Sequence, residues 1–166
     1  MLPSRPSPSF AIRKAAAGER DRLRDIYRDA VRVAGPQRYT ASRVAGWMTS
    51  ADDLDAWDQW LREGSTWVAV ETRDPRCAIG VAMMWPADHV HLLYVDPAFH
   101  RRGVASALLA AVEPEARDRG IASLTTDASL ISHPVFVGQG YQVVEWEEVE
   151  RRGEVFRRAR MRKALR

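Results

Sequence analysis

Residues 89–113, HVHLLYVDPAFHRRGVASALLAAVE, join a strand pattern to a helix pattern through one short basic turn. The first part contains valine, leucine and tyrosine and ends at Asp96-Pro97, which predicts a strand that stops there. Apolar residues at helical spacing begin at Val104 and continue toward Arg119, and Gly120 follows as a stop signal. The chain must therefore fold so that a helix directly follows a strand.

Similar patterns in the rest of the chain predict the element order β-α-α-β-β-β-α-β-α-β-β. Strands are expected at 10–15, 65–71, 77–85, 89–95, 123–129, 141–150 and 154–164. Helices are expected at 18–34, at 41–62 in broken form, at 104–119 with a kink or break at Pro114, and as a short helix or turn at 132–140. We expect an α+β fold with one mixed, mostly antiparallel sheet flanked by helices. Residues 10–166 form the single domain, and residues 1–9, MLPSRPSPS, form a flexible tail.

Composition excludes several classes of protein. At 166 residues and 46% hydrophobic content, the chain can bury a core of its own. Its longest apolar runs are too short to cross a bilayer, and its start lacks a secretion-signal pattern, so we expect a cytoplasmic protein that does not act at a membrane. Cys77 is the only cysteine, which excludes an internal disulfide and a cysteine metal cluster, and no metal is expected.

Charge is distributed unevenly along the chain. The net charge is +3, but residues 151–166 carry eight basic side chains against Glu154 alone and therefore sum to +7. A basic end of this kind can indicate a nucleic-acid partner. The alternative is an edge strand whose arginines pair with the acids of the neighbouring segment EWEEVE. We favour the second interpretation and do not expect nucleic acid as the partner.

The turn before the predicted helix at 104–119 has the properties of an anion site. A helix start presents unpaired N–H groups and a partial positive charge, which suit phosphate. Gly103 lets the backbone approach an anion closely, and Ala105 is nearly as small. Arg101 and Arg102 add positive charge, and the Ser106 hydroxyl adds a donor. The pattern is neither G-x-G-x-x-G nor a Walker motif, which disfavours dinucleotide and nucleoside-triphosphate folds.

The segment LYVDPAFHRRGVASALLAAVEPEARDRG, followed by DAS and FVGQGY, resembles the GNAT acetyltransferase superfamily, and the similarity extends from AIRKA to RMRKAL. The resemblance implies an N-acetyltransferase with acetyl-CoA as cosubstrate, and family members are often homodimers. It also implies that backbone N–H groups of one segment hold the pyrophosphate: His100, Arg101, Arg102, Gly103, Val104 and Ala105. The backbone of Leu93, Tyr94 and Val95 is expected to bond the pantetheine arm.

Three positions depart from the family pattern. His100 replaces the usual glutamine or arginine, and Ser129 replaces an asparagine that often contacts CoA. Many relatives have a tyrosine five residues before the position of Tyr141, where it protonates the leaving thiolate, and here that position is Phe136. We expect Phe136 to pack beside the thiol end of CoA. The family's assignment of a general acid therefore cannot be carried over to this chain.

Acetyl transfer to an amine also needs a base, and the strand at 89–95 offers two histidines. Strict alternation would place His89 and His91 on the same face as Leu93 and Val95. A histidine of unperturbed pKa would make the rate rise with pH through about 6 to 7. Asp127 is a rival base or an amine-binding carboxylate. The alternatives are that the histidines lie at a solvated strand start and that Asp127 caps the following turn.

Aromatic residues dominate the segment expected to bind the acceptor. Tyr39, Trp47 and Trp85 fall at a loop, a helix start and a strand end, and such a wall suits a flat or apolar amine. Packing in the core is the alternative for any one of them. We expect direct transfer of acetyl to a primary amine of a small molecule or peptide. The alternatives are an acyl-CoA-binding module without catalysis, and a nucleic-acid-directed acetyltransferase or binder.

Overall fold

A computed structural model describes residues 9–166 and contains seven strands and five α-helices in this range. The strands are β1 (Phe10–Lys14), β2 (Ser65–Glu71), β3 (Asp74–Met84), β4 (His89–Val95), β5 (Ser123–Ser129), β6 (Gln142–Arg151) and β7 (Glu154–Ala164). The helices are α1 (Arg20–Ala34), α2 (Ala41–Met48), α3 (Leu54–Glu63), α4 (Val104–Asp118) and α5 (His133–Gly138). Apart from Ser9, the expected N-terminal tail lies outside the described residues.

The seven strands form one sheet in the order β1-β2-β3-β4-β5-β7-β6. All neighbouring strands are antiparallel except β4 and β5, which are parallel and are joined through α4. The expected mixed, mostly antiparallel sheet flanked by helices is confirmed. The expected break between residues 41 and 62 is also confirmed, because a 3-10 segment, Thr49–Asp52, separates α2 from α3.

Two cores lie on opposite faces of the sheet. The core beneath α4 and α5 includes Val104, Leu108, Leu109, Val112, Leu124, Phe136 and Met161. The core beneath α1, α2 and α3 includes Leu23, Ile26, Tyr27, Val44, Trp57, Val81 and Leu92. Burial of these side chains is the main favourable contribution that holds the helices against the sheet.

The expected break at Pro114 is wrong, because α4 continues through this residue to Asp118. Val112 and Ala116 lie on either side of the proline and are both fully buried in the core beneath α4. Packing on both sides of Pro114 therefore holds the helix together despite the missing backbone donor.

β6 and β7 form a hairpin that turns at Arg152 and Gly153, both in the left-handed region. Two of the four arginines of β7 pair with acids of β6: the Arg158 guanidinium lies 2.6 Å from the Glu147 carboxylate, and that of Arg160 lies 3.3 Å from Glu145. The expected pairing with the neighbouring acids is therefore present for these two arginines, but the expectation that the basic segment is the edge strand is wrong, because β7 lies between β5 and β6.

Among residues 9–166, the longest apolar helical stretches fall short of what a membrane crossing requires.

Candidate functional site

The sheet opens at its centre between β4 and β5. The two strands pair only at His89 with Thr125 and at Val90 with Thr126, and then separate. Because they are parallel, their carboxyl ends lie at the same edge of the sheet, where α4 and α5 begin. The result is a V-shaped cleft whose apex lies just beyond Val90 and Thr126.

One side of this cleft is an unpaired edge of β4. The Asp96 N–H bonds the Ile79 carbonyl on β3, so alternation turns the N–H and C=O groups of Val95 and Leu93 away from β3, into the cleft. Tyr94, the third residue expected to contact pantetheine, pairs with Val81 and therefore directs its backbone to β3. Its ring is buried against Tyr27, with the ring centroids 4.5 Å apart.

A β-bulge interrupts β4 at the cleft apex. Met83 pairs with Leu92 and Met84 pairs with Val90, so His91 is an extra residue without a partner on β3. The expectation that His89 and His91 share a face with Leu93 and Val95 is therefore wrong, because the bulge reverses the alternation. Leu93 and Val95 pack in the core beneath α4, whereas His91 lies on the opposite face, the face covered by α1, α2 and α3.

His91 sits between two tryptophans. Its ring centroid is 4.4 Å from that of Trp60 and 5.3 Å from that of Trp85, both at edge-to-face angles. Its Nε2 atom is buried and has no hydrogen-bond partner among the described residues. Burial, reinforced by the positive charges of His89 and Arg151, lowers the pKa of His91 to about 4. The imidazole is therefore neutral at pH 7.

His89 and Asp127 belong to a paired network. The His89 Nδ1 atom lies 3.0 Å from the Thr125 hydroxyl, and its Nε2 atom lies 3.7 Å from the Asp127 carboxylate. The Arg158 guanidinium is 3.6 Å from the same carboxylate. Burial lowers the pKa of His89, while Asp127 opposes this shift. The Nδ1 atom of His89 thus has a hydrogen-bond partner, and the Asp127 carboxylate lies near both the His89 ring and the Arg158 guanidinium.

The start of α4 is open at the mouth of the cleft. Gly103, the N-cap, has φ +80°, and it makes no side-chain cap for the first turn. The N–H groups of Val104, Ala105 and Ser106 therefore point outward with no intrahelical partner. Nothing lies within 4 Å of the place where a Cβ on Gly103 would sit. The Arg102 guanidinium lies over the Phe99 ring, 5.2 Å from its centroid.

The loop that carries this helix start is held from both ends. The His100 Nε2–H donates to the Val95 carbonyl at 2.8 Å. One oxygen of Asp96 accepts the Ala98 N–H at 2.9 Å, and the other accepts from the Arg22 guanidinium at 2.7 Å. Sequence reasoning missed Arg22, since it lies on α1, 74 positions before Asp96. The one signal in the sequence that could have indicated Arg22 is an arginine on the side of an amphipathic helix that turns toward the sheet.

The two positions where the chain departs from the family near α5 have local partners. Phe136 is 2% exposed in the core beneath α4, edge-on to Tyr141 with ring centroids 5.0 Å apart. The Ser129 hydroxyl accepts the Ser132 N–H at 3.1 Å and so closes the turn into α5.

The aromatic residues chosen for the acceptor form two groups. Trp85 joins Trp60 and His91, and its indole N–H donates to the Glu63 carboxylate at 3.1 Å. Tyr39 and Trp47 lie together, with ring centroids 5.5 Å apart, and Trp47 contacts Tyr94. The second group is anchored by the Tyr39 hydroxyl, which accepts the Leu130 N–H at 2.9 Å. Trp60 belongs to the same aromatic segment but was not selected as an acceptor residue, because its position on α3 is equally typical of core packing.

Comparisons with known proteins agree with this geometry. A family model described as "Acetyltransferase (GNAT) domain" matches residues 36–165. YafP of Escherichia coli K12, an uncharacterized N-acetyltransferase, is 33% identical over 155 residues, which cover 93% of this chain and 95% of YafP. A GCN5-related N-acetyltransferase structure from Rhodopseudomonas palustris superposes with a TM-score of 0.86 at 26% identity and covers 93% of this chain and 95% of its own. The PaiA N-acetyltransferase of Thermoplasma acidophilum, solved with coenzyme A, gives 0.74 at 15% identity, with 94% and 99% covered. The chain therefore belongs to the GNAT acetyltransferase family.

Proposed function

We propose that this protein transfers an acetyl group from acetyl-CoA directly to a primary amine of a small molecule or peptide. The observation that carries the proposal is the continuity of the cleft. It runs from the open start of α4, along the unpaired edge of β4, to a neutral histidine at the apex. The three parts supply an anion site, free backbone groups for an extended amide-bearing arm, and a proton acceptor.

The chain's own groups fit coenzyme A. The first N–H groups of α4, with Arg101 and Arg102, suit the pyrophosphate, and the Leu93 N–H and C=O and the Val95 N–H suit the pantetheine amides, since the Val95 carbonyl is taken by His100. When bound, acetyl-CoA supplies the thioester acetyl group that is transferred. The Leu93 N–H is nearer the apex than that of Val95, and we assign it as the donor to the acetyl carbonyl oxygen.

His91 is the base in this proposal. Of its two ring nitrogens, only Nε2 is buried without a partner, so Nδ1 is the atom that solvent or an acceptor reaches. The buried Nε2 carries the hydrogen toward the neighbouring indoles, which leaves the lone pair of Nδ1 free to take the proton that the neutral amine loses as its nitrogen bonds to the acetyl carbon. His89 and Asp127 act as positioning residues, because their polar atoms are held by Thr125 and Arg158.

Phe136 cannot protonate the leaving thiolate, because it has no hydroxyl. Its burial beside Tyr141 also does not bring the Tyr141 hydroxyl into use, since burial raises the pKa of Tyr141 above its ordinary value. Water in the cleft is therefore the proton source that we assign.

Turnover against an amine panel tests the proposal. Release of free thiol from acetyl-CoA is measured with aminoglycosides, polyamines, amino acids, arylamines and peptide N-termini, and the rate without amine serves as the baseline. Amine-dependent thiol release, lost in His91→Ala, supports the proposal. CoA binding by calorimetry without turnover for any amine class would instead indicate an acyl-CoA-binding module.

A further inference from the structure

The loop between α1 and α2 carries one buried side chain that reaches over the sheet. Arg38 and Thr40 are exposed, whereas Tyr39 between them is only 8% exposed. The Tyr39 hydroxyl accepts the Leu130 N–H at 2.9 Å and lies 3.5 Å from the Arg157 carbonyl. Leu130 directly follows β5, and Arg157 lies on β7. The hydroxyl therefore fixes this loop to the β5 side of the cleft.

The ring of Tyr39 is connected to the opposite side of the cleft through Trp47. The centroids of these two rings are 5.5 Å apart at an edge-to-face angle. Trp47 in turn contacts Tyr94 on β4, with ring centroids 6.5 Å apart. The Trp47 carbonyl also accepts the hydroxyl of Tyr27, which packs on the same Tyr94 ring. Tyr39 and Trp47 thus join β4 to the end of β5, and we call this pair the aromatic bridge.

The aromatic bridge crosses the cleft some distance from the apex. Tyr94 lies four residues beyond Val90, and one of the four is the bulged residue. On the other side, Ser129 precedes the bonded N–H and lies three residues beyond Thr126. At about 3.3 Å per residue, both ends of the bridge are roughly 10 Å from the apex. The bridge thus passes over the part of the β4 edge that suits the pantetheine amides, and the apex stays open to an acceptor.

The aromatic bridge encloses the cleft on the face covered by α1, α2 and α3. Tyr39 belongs to the core on that face, where Trp47 also packs. On the opposite face, Leu93, Val95 and Phe136 belong to the core beneath α4. With β4 on one side and β5 on the other, the cleft at this level is a channel bounded on four sides.

We infer that Tyr39 is a positioning residue for the donor, which fixes the width of the channel that takes the pantetheine arm of CoA. The inference rests on the proposed function, and it assigns to the donor a residue that the sequence placed at the acceptor. A channel that is already held at its working width has less order to gain when the ligand binds, and this raises affinity without a new contact. The hydrogen bond from Leu130 supplies that order in the free protein.

Two ligands that differ only in the arm test this inference. CoA and 3′-phospho-ADP share the nucleotide and the pyrophosphate, but only CoA carries pantetheine. Tyr39→Phe removes the hydroxyl alone, so binding must then supply the order that one hydrogen bond supplied. We expect the Kd for CoA to rise about 3- to 10-fold in calorimetry. The Kd for 3′-phospho-ADP should stay within about 1.5-fold. Trp47→Leu, which breaks the bridge at its other joint, should give the same split.

Tyr141→Phe is the matched control, because it removes a buried hydroxyl from the core on the opposite face and leaves the aromatic bridge intact. Asp53→Ala controls for stability, since it removes the carboxylate that caps α3 at the Ala56 N–H. Both variants should bind both ligands as the parent does.

An equal change for both ligands in Tyr39→Phe, or no change for either, would overturn the inference. A parent protein that binds CoA but acetylates no amine would contradict the proposed function alone, because the split between the two ligands still decides the role of Tyr39. A parent that does not bind CoA would overturn both.

Discussion

Two histidines separated by one residue on β4 occupy different environments because of a single bulge. His89 precedes the bulge and has its Nδ1 atom 3.0 Å from the Thr125 hydroxyl, whereas His91 is the bulged residue and packs against Trp60 and Trp85. Under the proposed function, the bulge thus separates a positioning histidine from the one that accepts a proton. β-Bulges commonly redirect a side chain at a functional site in this way.

The pH dependence of kcat/KM should show this difference. The base works in its neutral form, and a pKa of about 4 means that His91 is already neutral throughout pH 6 to 9. We therefore expect no histidine limb at pH 6 to 7, contrary to the expectation for an unperturbed histidine. The rise in that range should follow the pKa of the amine acceptor. His91→Ala should lower kcat/KM by about 100-fold or more, and His89→Ala by less.

Removing one indole tests whether packing against tryptophan is what lowers the pKa of His91. Trp60→Leu should raise the pKa of His91 toward its ordinary value, since solvent then reaches the ring, as followed by NMR titration. The same change at Trp146, which contacts His133 instead, should leave that titration unmoved. A His91 that titrates near pH 6.5 in the parent would contradict the placement.

Tyr141 carries a hydroxyl that serves no visible structural purpose. It is buried and has no hydrogen-bond partner among the described residues. Tyr141→Phe should therefore leave the free energy of unfolding unchanged or raise it by up to about 1 kcal/mol, since a buried unpaired hydroxyl is removed. Tyr27→Phe is the matched control, because the Tyr27 hydroxyl donates to the Trp47 carbonyl at 3.3 Å. It should cost about 1 kcal/mol in urea unfolding. A clear loss of stability in Tyr141→Phe would show that the hydroxyl has a partner.

At the scale of elements, α4 connects the core to the proposed donor site. Its buried stripe fixes the helix on the sheet, and its first turn presents N–H groups at the mouth of the cleft. These two roles can be tested separately by substituting the two glycines in the left-handed region, one at each end of the helix. Gly103, at the start, has φ +80°, and Gly120, just beyond the end, has φ +73°.

We expect Gly103→Val to raise the Kd for CoA at least about 50-fold in calorimetry, because a branched side chain intrudes where the pyrophosphate approaches. Gly120→Val carries a similar backbone strain, and it too has nothing within 4 Å of an added Cβ. It should lose comparable stability in thermal unfolding while its Kd for CoA stays within about twofold. Equal CoA affinity of the Gly103→Val and parent proteins would mean that the anion binds elsewhere.

The elements also show which features a sequence can reveal. The strand, turn and helix around Gly103 follow from local spacing and turn chemistry, and the structure confirms them. The bulge at His91 does not, because HVHLLYV reads as an uninterrupted strand and the extra residue appears only in the pairing with β3. The same holds for the bond between Arg22 and Asp96, which depends on tertiary packing.

At the scale of the whole molecule, the fold neutralises part of the basic excess near the C-terminus, at Arg158, Arg160 and Lys163. We expect the parent protein to bind a 20-nucleotide RNA weakly, with a Kd above about 10 μM at 150 mM salt in fluorescence anisotropy, because β6 carboxylates neutralise Arg158 and Arg160. The double variant Glu145→Gln, Glu147→Gln frees both arginines. It should gain affinity and steepen the slope of log K against log salt by about 1 to 1.5. Tight, steeply salt-dependent binding by the parent would favour a nucleic-acid role.

The cleft between β4 and β5 has a consequence for how such a protein can evolve. Under the proposed function, the donor is recognised by main-chain groups at the edge of β4 and the start of α4, and every amino acid except proline supplies the same N–H. Most side-chain substitutions should therefore leave donor recognition unchanged. The condition is that β4 and β5 still separate and that α4 still begins at the mouth of the cleft. The acceptor side, by contrast, is made of side chains and changes with each mutation. The fold shared with PaiA at 15% identity shows that this architecture is kept when most side chains change.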